Sequence, residues 1–233
     1  MADMTDKAIA WVAQQKALAP DKPFFVYFAL GATHAPHHVP KEWADKYKGK
    51  FDHGWDKLRE ETLARQKALG VVPEDCQLTA RHAEIPAWDE MPEALKPILR
   101  RQIEVYGGFL EYTDHHIGRL LDGLTKLNIL DNTLIFCVTG DNGASAEGTI
   151  NGAYNEIANF NGLAAPETPE FLMARYDKLG GPGSYNHYAV SWAHVGFPAV
   201  LAVWLVTLQR QLGARAVTEA RSAQRSRALD CGG

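Results

Sequence analysis

The chain is poor in cysteine, has no excess of one charge, and lacks long hydrophobic runs. Its three cysteines, Cys76, Cys137 and Cys231, show neither metal-ligand spacing nor a disulfide framework. Cys137 falls inside an apolar run, where a small buried thiol is expected. With 24 Lys and Arg against 28 Asp and Glu, the formal charge is −4, which leaves no polybasic footprint for nucleic acid or a membrane surface. The longest apolar run, roughly residues 195–208, is too short and too interrupted to span a bilayer. No basic region followed by an apolar run opens the chain, so no signal peptide is expected and the chain as it stands reads as soluble and cytoplasmic. At 46% hydrophobic and 22% charged over 233 residues, the composition is that of a globular protein able to bury a core.

Two stretches read as strands buried on both faces. Phe24-Phe-Val-Tyr-Phe-Ala-Leu30 is continuous rather than alternating, and Leu134-Ile-Phe-Cys-Val-Thr139 is apolar, β-branched or aromatic between turn signals. Each ends in residues that carry chemistry. After the first come Gly31-Ala-Thr-His-Ala-Pro-His-His-Val-Pro40. His34, directly after the strand, is placed to reach into a crevice as a hydrogen-bond donor or general acid, whereas His37 and His38 read as surface imidazoles. After the second come Gly140-Asp-Asn-Gly143. A carboxylate and an amide oxygen between glycines read either as a plain turn or as ligands for a hard cation at the carboxyl end of a strand.

Helical signals surround these strands. Asp6 to Leu18 reads as a helix capped by Thr5, and Trp55 to Leu69 as an amphipathic helix. Glu93 to Leu127 has the strongest periodicity, with Pro97 tolerable in its first turn. Glu111, Asp114, His115 and His116 on that helix look like a metal cluster but are better read as solvated or capping groups, since none sits at a strand end. Thr168 with Pro169 begins a short helix, and Gly180 to Tyr188 reads as a loop. From about Val195 no Asn, Tyr, Lys or His occurs, and Arg215–Arg227 is arginine-rich with few apolar anchors. Two parts are therefore expected: residues 1–194, and a 195–233 tail that is disordered or an out-of-frame translation.

The first strand running into His34-x-Pro36-x-x-x-Pro40 resembles the type I sulfatases. So does the helix ending Glu111-Tyr112-x-Asp114-x-x-Ile117-Gly118-Arg119-Leu120-Leu121, followed by the second strand and Gly140-Asp141-Asn142-Gly143. The resemblance runs from about residue 5 to about residue 193, with the motifs in the family's order. It implies an α/β sandwich of the alkaline-phosphatase-like kind, with a mostly parallel mixed sheet flanked by helices, here incomplete. It also implies hydrolysis of a small-molecule sulfate ester, an aryl sulfate. His34 would contact the sulfate and donate a proton, and Asp141 and Asn142 would bind Ca²⁺, with Mg²⁺ as the alternative.

The departures from the family are equally specific. The formylglycine precursor Cys-x-Pro-Ser-Arg is absent, as is its serine form, and neither Cys76 nor Cys137 replaces it. The paired aspartates near the start of family members are missing, and no lysine follows Lys178. Without a nucleophile the covalent route is closed, so the chain is expected to be a fragment of a sulfatase, inactive alone. Two other readings stay open: a phosphodiesterase or phosphatase of the same superfamily, and a non-catalytic metal-binding or interaction chain.

Overall fold

A computed structural model describes residues 1–138 and 144–195. Helices form where the sequence is periodic. α1 (Ala2–Leu18), α2 (Lys41–Asp45) and α3 (Gly54–Ala68) precede α4 (Lys96–Lys126), and α5 (Glu156–Phe160) and α6 (Pro169–Met173) follow it. α4 is 31 residues long, carries Pro97 in its first turn as expected, and is the element against which α1, α2 and α6 pack. Thr168 caps α6, its hydroxyl accepting from the Phe171 amide at 3.3 Å. Thr5, expected as a cap, instead lies inside α1, because that helix begins four residues earlier; its side chain is fully buried.

The core sits on the inner face of α4. Leu95, Ile98, Leu99, Ile103, Val105, Tyr106 and Phe109 pack there against Trp55, Trp88, Trp192, Leu172 and Tyr188. The three tryptophans make edge-on and tilted contacts, with ring centroids 4.7 to 5.7 Å apart. Two of their indoles find carbonyls: Trp192 Nε1 donates to Leu99 O at 2.9 Å, and Trp55 Nε1 to Pro86 O at 3.1 Å. Gly108 lets α2 lie directly on α4, since a Cβ there would come within 2.6 Å of the Ala44 backbone nitrogen. Arg101 is buried in this contact and is held by Asp45 at 3.0 Å and Glu104 at 3.2 Å, so its charge is paired twice.

The expected sheet is not formed among the described residues. Residues 24–30 and 134–138 carry no regular secondary structure, and the β-pairings observed among the described residues are two isolated bridges, Ala153 with His187 and Asn155 with Tyr185. Nor are the two segments buried on both faces. Phe25 is 84% exposed, Phe136 80% and Val138 89%, and Cys137 is an exposed thiol rather than a buried one. The physical reason is that a strand cannot satisfy its own backbone. It needs a neighbour on each edge, and here the two segments line a groove of about 1320 Å³ over α1 and α4. No helix among the described residues is long and apolar enough to cross a membrane.

Candidate functional site

The turn after residues 24–30 is pinned from two sides. Thr33 Oγ1 lies 3.0 Å from the hydroxyl of Tyr106 on α4. Beyond it, the His37 amide donates to Asn186 O at 3.2 Å and the Val39 amide to Gly180 O at 3.1 Å. Between these anchors His34 is exposed, its Nδ1 2.7 Å from its neighbour's carbonyl, Ala35 O. A carbonyl only accepts, so Nδ1 carries the proton in this arrangement and Nε2 remains available outside the turn.

The other two histidines of the turn are not surface groups. His37 is 1% exposed, packed against Tyr106, Phe109, His187 and Tyr188 with ring centroids 4.9 to 6.4 Å away. Burial first, and then the neighbouring His187, His34 and His38, hold its pKa well below the ordinary imidazole value. His38 is half-buried, with Nε2 2.6 Å from Ser184 O. Proline-stiffened sequence pointed to an exposed loop, but the loop lies under the segment 184–189, and that contact is long-range.

Segment 184–189 is the hub of this region. Asn186 Oδ1 accepts from the Gly180 amide at 3.2 Å and from Ser184 Oγ at 2.9 Å, closing its own loop. Gln102 of α4 reaches out to it: its carbonyl oxygen accepts from the Ala189 amide at 3.0 Å, and its amide nitrogen donates to Asn151 O at 2.8 Å. His187 and Ala153 exchange two backbone bonds of 3.0 Å, and Val190 N donates to Thr149 O at 2.8 Å. Residues 144–153 are thereby fastened to the same hub that holds the His34 turn. Gly148 is required there, because a Cβ would meet Tyr188 O at 1.8 Å.

Asp141 and Asn142 lie outside the described residues, which end at Val138 and resume at Ala144. As hard oxygen donors they suit Ca²⁺ or Mg²⁺, but they supply only roughly two of the six to eight oxygens such an ion takes. Among the described residues no three His, Cys, Asp or Glu groups are placed to hold a metal ion. Glu111 pairs with Lys46 at 3.0 Å, whereas His116, read from the sequence as solvated or capping, is buried beside Arg119 at 3.1 Å. Asp114 titrates at about 6, raised by burial and then by Glu111.

Glu156, His187 and Gln102 were not legible as site residues. Glu156 is buried, with Oε2 lacking a hydrogen-bond partner, and burial raises its pKa while His187 and His34 oppose the rise. Each lies in a loop or on a helix whose periodicity says nothing of polar contacts. The one local signal was the unusual run Tyr185-Asn-His-Tyr188 between glycines and a helix.

A family model for sulfatases matches residues 1–201. An uncharacterized sulfatase of Schizosaccharomyces pombe is 32% identical over 183 residues, covering 78% of this chain and 31% of that protein. An arylsulfatase of Klebsiella aerogenes is 30% identical over 190 residues, covering 80% of this chain and 37% of the enzyme. The chain thus spans about a third of the length of the curated relatives it matches. By the extent of that match, the chain belongs to the sulfatase family, whose relatives include a sulfuric ester hydrolase.

Proposed function

We propose that these residues are the His34-bearing part of a sulfate-ester hydrolase, acting on aryl sulfates within a complete sulfatase architecture and inactive alone. The observation that carries the reading is the fastening of the His34 turn and of residues 144–153 to one hub, 184–189, within a family-matched segment. That common anchor supports a site in which His34 and the Asp141–Asn142 stretch face one substrate. As an imidazolium, with its Nδ1–H on Ala35 O, His34 would donate from Nε2 toward the sulfate ester, offsetting charge on the leaving oxygen. Asp141 and Asn142 would hold Ca²⁺, or alternatively Mg²⁺, which would neutralise sulfate charge when bound. Among the described residues no group of three His, Cys, Asp or Glu is placed to complete the shell, so no catalytic step is routed through the ion. The apolar segments 24–30 and 134–138 fit the strands of an α/β sandwich whose neighbouring strands are not among the described residues.

A chimaera tests the reading. Residues 5–193 replace the matching segment of the Klebsiella aerogenes arylsulfatase, which supplies the rest of the enzyme, and p-nitrophenyl sulfate turnover is followed. The isolated chain is expected to show no turnover, the chimaera measurable turnover, and its His34→Ala form a loss of about 100-fold or more. A chimaera that melts cooperatively yet hydrolyses p-nitrophenyl sulfate equally well with and without His34 contradicts the proposal.

A further inference from the structure

Segment 184–189 carries a side chain that the sulfate-ester reading leaves unused. His187 is wholly buried, and its Nε2 lies 2.8 Å from the hydroxyl of Ser145, which is exposed. The other ring nitrogen, Nδ1, is 2.9 Å from Tyr188 O. That carbonyl only accepts, so Nδ1 holds the proton and Nε2 of the neutral ring accepts from Ser145 Oγ. The ring is fixed by His37 at 4.9 Å and Tyr188 at 4.5 Å, and its backbone by the paired bonds to Ala153. Glu147 places a carboxylate oxygen 3.8 Å from the same Nε2, where it would offset the charge of an imidazolium.

An exposed hydroxyl, a base within hydrogen-bond reach and an acceptor orienting that base are the parts of an activated nucleophile. We propose that Ser145 and His187 form such a pair, and that it takes the acyl group of small, uncharged carboxylic esters. The charge of the ester follows from the surroundings: Glu147, and Glu156 electrostatically coupled to His187, disfavour an anion beside the pair. This activity is separate from the sulfate-ester reading and needs neither the metal nor the missing nucleophile. In the reaction, Ser145 Oγ bonds to the ester carbonyl carbon while its proton passes to His187 Nε2. The bond from that carbon to the alcohol oxygen then breaks, and the imidazolium returns the proton to the departing alcohol. Water, deprotonated by the same nitrogen, releases the acid and restores the serine.

The test is covalent labelling of the purified full chain with a fluorophosphonate, the modified peptide being mapped by mass spectrometry. Ser145 is expected to be labelled in the folded chain, at least tenfold more slowly in urea or in His187→Gln, and not in Ser145→Ala. Labelling that is absent from Ser145, or equal in folded and unfolded chain, overturns the proposal, since a serine that merely braces its loop does not react. Should His187→Gln lose its cooperative melt, Ser145→Cys decides. Iodoacetamide at pH 6.5 then alkylates the introduced thiol at least tenfold faster than Cys76 in the same molecule; an equal rate overturns the pairing.

Discussion

Two apolar regions of this molecule share a composition and differ in how they are partnered. Along α4, Ile98, Leu99 and Val105 are completely buried, and the helix satisfies its own backbone. Along residues 24–30 and 134–138, side chains just as apolar stand open, with Phe25, Tyr27 and Phe136 each at least 80% exposed. A helix delivers its hydrophobic face to a core wherever one neighbour is available. A strand delivers it only when backbone partners flank it, so the same hydrophobicity folds in one case and waits in the other. The polar hub at 184–189 sits on the helical side of this divide, which is why the His34 turn is held although the segment leading into it finds no strand partner among the described residues.

Perturbing the two regions should separate them. The largest loss belongs to the tryptophan cluster: Trp192→Ala removes a fully buried indole and its bond to Leu99 O, at a cost of about 3–5 kcal/mol in a urea melt. Gln102→Leu leaves the Ala189 amide and Asn151 carbonyl without their partner and should cost about 2–4 kcal/mol, while loosening the His34 turn. Acid acts next. The folded-state pKa of His37 is depressed, so its neutral, buried form is fully compatible with folding above the unfolded value near 6.5. Below that pH the unfolded chain binds the proton first, and stability falls by about 1.4 kcal/mol per pH unit. His37→Phe should flatten that slope in melts between pH 6.5 and 5. The smallest effect lies in the open region, where Phe25→Ser should change stability by no more than about 0.5 kcal/mol and reduce self-association on a sizing column. A loss from Phe25→Ser as large as that from Trp192→Ala would erase the distinction.

The parts of the fold that were legible are those written in short-range patterns. The step of three and four residues from Leu95 to Leu124 gave α4 nearly to its ends, and Thr168-Pro169 gave the start of α6. The apolar character of residues 24–30 and 134–138 was legible too, but neither the pairing nor the burial expected of strands is found there, because both depend on neighbours absent from the local pattern. His34 could be singled out from its position after a strand-like run. His37, His38 and His187 could not, since their packing joins residues about 150 apart in the chain, as the bond from His38 to Ser184 O shows. Asp141 and Asn142 were legible as oxygen donors, and their geometry lies outside the described residues.

Amide hydrogen exchange of the full chain compares the two regions residue by residue and tests the account most directly. Val105 and Phe109, inside α4 and buried, should exchange only through global unfolding, whereas the amides of residues 24–30 and 134–138 should exchange nearly as fast as in an unstructured peptide. Protection in those two segments equal to that of α4 would mean that they are already paired in a sheet, and the account of an open, unpartnered face would be wrong.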